Sequence, residues 1–153
     1  MQSKKIFITL LSIALLALVP CALGRTFIVH CPAAGDLTKD PVKLTWSANH
    51  HNFRSYDMSF ATSIEKFLGA QWVGETVGQT TCVYKALPER SFPVLLVFRT
   101  IALEPHGGAW TKNLGGYRDC NSSHTRQCLF TVRLKKKTQH IYEEARRLKL
   151  ERR

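Results

Sequence analysis

The sequence predicts a mainly β, disulfide-stapled domain, a β-sandwich or barrel-like body with a C-terminal α-helix. Three observations predict it. Short apolar–polar alternations recur across residues 25–134 between breaks rich in glycine and proline. Four cysteines lie in that same stretch. A basic segment with helical periodicity follows it. The composition agrees: 153 residues, 44% apolar, 22% charged and a net charge of +11 describe one ordinary globular domain. They exclude a collagen, a low-complexity disordered chain and a polytopic membrane protein.

Residues 1–24 have the order of a secretory signal peptide: Lys4 and Lys5, an uncharged run from Ile6 to Val19, Pro20, then Ala22-Leu23-Gly24. Fourteen apolar residues are short for a bilayer span, which takes about 20. Pro20 before Cys21 argues against a lipoprotein. Cleavage is expected after Gly24, leaving 129 residues with a charge of +9. Cys21 leaves with the signal, and Cys31, Cys82, Cys120 and Cys128 remain.

An even cysteine count in an exported chain implies two disulfides. Three pairings are possible, and Cys31–Cys82 with Cys120–Cys128 is favoured, because the polar stretch 121–127 turns back easily. The competing metal reading of Cys120, His124 and Cys128 fits no common zinc spacing.

Thr26 to Pro32 and Val42 to Ser47 alternate as half-buried strands, with a loop over Ala33 to Pro41 between them. Asn49-His50-His51-Asn52 is a polar break. Within Asp57 to Leu68, the apolar Phe60, Ile64, Phe67 and Leu68 follow helical spacing, with Asp57 or Ser59 as cap. A helix is slightly favoured there over a bent strand. Gly69, Gly74 and Gly78 punctuate the chain around Trp72. Thr80 to Ala86 is a strand carrying Cys82 and Tyr84 on one face, and Leu87 to Ser91 is a turn. The unbroken run Val94 to Phe98 is expected to be a strand buried on both faces. An irregular connection passes through Trp110, and Cys128 to Leu134 is the last strand. Trp46, Trp72 and Trp110 supply core bulk.

The tail, residues 135–153, differs from the body. From Arg133 onward there are nine basic and three acidic residues. After Lys135, Lys136 and Lys137, Thr138 can cap a helix whose stripe is Ile141, Ala145 and Leu148. Glu143 pairs with Arg147 at i+4, and Arg146, Arg147, Lys149, Arg152 and Arg153 favour the C-terminal end of the dipole. Lys135, Lys136, Lys137, Arg146, Arg147, Lys149, Arg152 and Arg153 form the candidate surface for an anionic partner, either a membrane face or an acidic protein. The alternative is a helix docked on its own sheet with a solvated basic face. The stripe is narrow for membrane insertion. Nucleic acid is not expected, since only Tyr142 is interleaved with the basic run.

No G-x-S-x-G, H-E-x-x-H, P-loop or dinucleotide fingerprint is present. His30, His50, His51, His106, His124 and His140 are most simply surface residues. A small basic hydrolase using His50, His51 and His106 is the enzymatic alternative. Sparse carboxylates suggest no glycoside hydrolysis. No metal, cofactor or small-molecule substrate is expected. Asn121-Ser122-Ser123 is a glycosylation sequon that matters only in a eukaryotic host.

The Cys31-Pro32 start, the Trp72-Val73-Gly74 centre and the Cys82-Val83-Tyr84 strand resemble small exported proteins of intracellular gammaproteobacteria. Together with its length and basic tail, the whole mature chain resembles the EirA family, periplasmic proteins associated with the Dot/Icm type IVB secretion system. The resemblance implies a non-enzymatic periplasmic accessory that supports effector secretion and intracellular replication. It implies contact with secretion-system proteins or the inner-membrane surface, and self-association is plausible. It supplies no catalytic residues, and it matches Cys31 and Cys82 to disulfide-like cysteines. A disulfide-linked β binder or inhibitor of a host or cell-wall component is a further alternative, although a cationic lysozyme would be repelled by a +9 chain.

Overall fold

The structure is a computed structural model that describes residues 25–49, 52–134 and Arg146. Eleven strands are found there: β1 (Arg25–Val29), β2 (Thr38–Lys39), β3 (Trp46–Ala48), β4 (Phe53–Arg54), β5 (Ser63–Gly74), β6 (Val77–Leu87), β7 (Val94–Phe98), β8 (Ala102–Leu103), β9 (Trp110–Lys112), β10 (Arg118–Cys120) and β11 (Phe130–Leu134). All pairings are antiparallel and belong to one curled sheet, a half-barrel. Its main path runs β1-β11-β8-β6-β7-β4-β3-β2, and β5, β10 and β9 extend from the other edge of β6.

The long β5–β6 hairpin is the spine. Alternation on β6 turns Thr80, Cys82, Tyr84 and Ala86 inward. These meet Trp72 from β5 and Leu96 from β7 in the core. Phe53, Phe98 and Phe130 add a tilted aromatic row with centroids 4.8 and 5.3 Å apart. Trp46, Trp72 and Trp110 are all buried, as the sequence suggested.

The disulfides join Cys31 to Cys82 and Cys120 to Cys128, the favoured pairing. The first fastens the end of β1 to the middle of β6. The second fastens β10 to the start of β11. The motif residues of the resemblance are fastened together as well, because the Tyr84 hydroxyl donates to the Pro32 carbonyl at 2.8 Å.

Several expectations are corrected. The segment 57–68 is not a helix: residues 57–62 are irregular and β5 begins at Ser63. Two register shifts in β5, at Ile64/Lys66 and Phe67/Gly69, break the period of two and leave Ile64, Phe67 and Ala70 three apart, which imitates a helical stripe. Residues 42–45 are not a strand. The Asp40 carboxylate accepts from the Val42 and Lys43 amides at 2.9 Å each, the Asp40 amide donates to the Thr45 carbonyl, and Leu44 takes φ +54°. β1 is an exposed edge rather than a half-buried strand, with Ile28 72% exposed. The irregular passage around Trp110 contains β9 and β10. β7 is buried on one face only, as its role in the site requires.

The expected signal peptide (1–24) lies outside the described residues. So does the basic C-terminal helix (135–153), apart from Arg146, which is exposed. Among the described residues no helix is long and apolar enough to cross a membrane.

Candidate functional site

β4 and β7 pair through only two positions, Phe53 with Phe98 and Arg54 with Val97. Beyond Arg54 the chain is drawn away from β7. The Ser55 amide donates to the Trp46 carbonyl at 2.8 Å, and the Ser55 Oγ accepts from the Trp46 amide at 2.8 Å. The Ser59 amide donates to the Leu44 carbonyl at 2.8 Å. Lys39 Nζ donates to the Ala61 carbonyl at 2.6 Å while lying over the Trp46 ring. The Thr62 amide then donates to the Leu87 carbonyl at 2.8 Å, where β5 begins to pair with β6. What remains between the 55–61 segment and β7 is a cleft of about 660 Å³.

The floor of the cleft includes Val83 and Leu95, which face each other in the β6–β7 register on the outer surface. One lip carries Met58 and Phe60, and the other carries Phe92 and Pro93. These side chains stand in water: Met58 is 69% exposed, Phe60 81% and Phe92 91%. Leu95 is 43% exposed, whereas its neighbours Val94 and Leu96 are buried. Full burial of one such aromatic is worth roughly 1.5–3 kcal/mol. A cluster left unburied around a preformed cleft is a surface that burial against another molecule would stabilise. Two charges line the cleft, Asp57 on one lip and Arg90 on the other. Among the described residues, neither makes an ion pair.

Outside the cleft, polar groups fasten strands together. Lys85 and Glu65 pair at 2.7 Å across β6 and β5. Their hydrogen bond holds the carboxyl below its ordinary pKa and the ammonium above. The Asp119 carboxylate accepts from Gln71 at 3.0 Å and Asn113 at 2.9 Å, locking β10 between β5 and the β9–β10 turn. Arg118 pairs with Glu104 at 2.7 Å, and His106 lies 3.8 Å from that carboxylate.

The residues singled out from the sequence are dispersed. The four sulfurs are consumed in bridges, so Cys120 and Cys128 offer no thiolate beside His124. His30 Nδ1 lies 2.8 Å from the adjacent Cys31 carbonyl, and His106 and His124 sit in separate loops. His50, His51 and His140 lie outside the described residues, as do Lys135, Lys136, Lys137, Arg147, Lys149, Arg152 and Arg153. Among the described residues no three His, Cys, Asp or Glu side chains gather as a metal site.

The cleft itself was not anticipated. Helical spacing places Phe60 on a stripe with Ile64, Phe67 and Leu68, and Phe92 falls between the Leu87–Ser91 turn and the run that Pro93 opens. The available signal was Ser91-Phe92-Pro93: an aromatic before proline is held extended at a turn and has no regular partner surface. Comparison with family profiles, with curated proteins and with solved structures gives no match to this chain.

Proposed function

We propose that the protein is a non-enzymatic, exported interaction module acting in the periplasm, and that the cleft beside β7 is its docking surface. In this reading it supports type IVB (Dot/Icm) secretion of effectors, and through it intracellular replication, by contacting a component of that machine. The observation that carries the docking role is the preformed apolar cleft with Met58, Phe60 and Phe92 in solvent. Two disulfides suit an oxidising, non-cytoplasmic compartment. The secretion assignment is supported by the motif resemblance, whose cysteines, proline and tyrosine lie together in one structural unit.

A photo-crosslinking amino acid in place of Phe92, in cells assembling the secretion machine, tests both parts. The expected result is a discrete adduct with an envelope component of that machine, together with loss of effector translocation when the gene is deleted. Normal translocation in the deletion strain, or no adduct from the cleft, overturns the proposal.

A further inference from the structure

We propose that the free edge of β1 is a second docking site, independent of the cleft, which takes an extended segment of a partner protein as an added antiparallel strand with an acidic residue opposite Arg25. Among the described residues the sheet has three terminal strands, β1, β2 and β9. β2 has two residues, Thr38 and Lys39, and runs into Asp40-Pro41. β9 has three and ends at Lys112, where Asn113 Oδ1 accepts from the Gly115 and Tyr117 amides and closes a turn. Short edges, charges and a following proline discourage further pairing. β1 has five residues, no proline and no bulge, with an unbroken register from Arg25–Leu134 to Val29–Phe130. Backbone groups alternate sides along an antiparallel strand, so alternate residues of β1 turn N–H and C=O away from β11. Among the described residues no backbone hydrogen bond meets them there.

The side chains ask for the same ligand. Val132, opposite Phe27, is buried, so Phe27 stands on the inner face of β1, and Val29 shares that face by the period of two. With Phe53, Phe98 and Val132 they line a groove of about 270 Å³, and Phe27 stays 42% exposed beside it. On the outer face Ile28 is 72% exposed. A strand laid along β1 sets alternate residues beside Phe27 and Val29, on the side of the groove, and the residue between them beside Ile28. Main-chain hydrogen bonds then supply affinity and the groove supplies selection for apolar side chains.

Charge chooses among occupants. Arg25 is exposed and makes no ion pair among the described residues. Residues directly opposite one another on neighbouring strands interact, so an acidic side chain facing Arg25 is favoured. A second copy fits less well. Its β1, paired antiparallel about Phe27, sets Arg25 against Val29, and it brings together two chains that each carry a net charge of +11. A lipid surface has no repeating amides to answer the open row of N–H and C=O. Read from its own N-terminus, the partner strand is therefore apolar opposite Val29, apolar opposite Phe27 and acidic opposite Arg25, each two residues after the last.

The test presents random nonapeptides to the protein purified from the cell envelope. Selected peptides should carry two apolar residues and then one acidic residue at successive alternate positions. Exchanging that acidic residue for its amide should weaken binding at least threefold. Arg25→Glu should keep the wild-type melting temperature and turn the preference at that position from acidic to basic. Binding should slow hydrogen exchange of the outward amides of β1 at least tenfold. A photoreactive residue placed in the peptide opposite Phe27 should label residues 25–29. Unchanged exchange in β1, selection indifferent to Arg25→Glu, or labelling of Met58, Phe60 or Phe92 in the cleft overturns the inference. It is also overturned if the only occupant found is a second copy, seen as a dimer by light scattering with β1 protected, or an anionic lipid vesicle that protects β1 when no selected peptide does.

Discussion

Tyr84 shows how much one side chain can decide. Its ring is fully buried against Phe67, with centroids 5.5 Å apart, and its hydroxyl ends on the Pro32 carbonyl. Tyr84→Phe leaves that buried carbonyl without its partner and should cost about 1–3 kcal/mol in urea unfolding. Burial, and secondarily the Asp36 charge, pushes the folded phenol far above its ordinary value of 10.0. An unfolded tyrosine ionises near that value, so above it the unfolded state holds fewer protons than the folded one. The contribution is complete below about pH 10 and falls by about 1.4 kcal/mol per pH unit above it. The stability difference between wild type and Tyr84→Phe should therefore be flat from about pH 6 to 9 and shrink at higher pH. A difference that stays constant beyond about pH 10 would show that the phenol is solvated in the fold.

At the scale of elements, β5 is the decisive strand because its irregularities place everything around it. Gly69 sits at the second register shift with φ +149°, and a Cβ built there would come 2.5 Å from the Cys120 carbonyl oxygen. Gly69→Ala combines backbone strain with a backbone clash and should destabilise by about 2 kcal/mol or more. Gly35→Ala, which meets nothing within 4 Å, should stay within about 0.5 kcal/mol of wild type. Parallel thermal melts check both, and equal melts would remove the close β5–β10 approach from the argument. The same bulges explain what the sequence did not disclose. Alternation on β6 and β11 is regular, and those strands, the buried tryptophans and the cysteine pairing were legible. A bulge adds a residue without any compositional mark, so the sequence slightly favours a helix over a bent strand for Asp57 to Leu68, which contains the first half of β5. The apolar run of β7 suggests burial on both faces because hydrophobicity reports the demand for burial and not whether a second layer covers the face; among the described residues Leu95 stays 43% exposed on the outer face. Where β4 stops short, Leu95 is left at an open edge, and this mismatch is the cleft.

For the molecule as a whole, one curled sheet must close its own core, and the two covalent bridges reach where the ladder does not. Cys31–Cys82 spans 51 residues and Cys120–Cys128 spans 8. Loop-closure entropy assigns them about 4 and about 2.6 kcal/mol. Replacing the first pair by alanine should therefore cost more than replacing the second, read from urea midpoints at constant m. The opposite order would show that the short bridge's main role is in fixing β10 against β11 rather than in restricting the unfolded chain.

Charge is distributed at this same scale: nine of the basic residues lie from Arg133 onward, while the core residues identified all fall between Cys31 and Val132. If the tail is a partner surface rather than a helix docked on its own sheet, its removal leaves that core untouched. Deleting residues 138–153 should leave the unfolding free energy within about 0.5 kcal/mol of wild type. The deletion takes away Arg146, Arg147, Lys149, Arg152 and Arg153, each contributing about 1 kcal/mol beside an anionic bilayer. Affinity for vesicles containing anionic lipid should fall at least tenfold, and raising the salt concentration should weaken the full-length chain in the same way by screening. Sedimentation with neutral and anionic vesicles measures both effects. Vesicle binding that survives the deletion would move the anionic contact onto the body, whose excess of positive charge is only three.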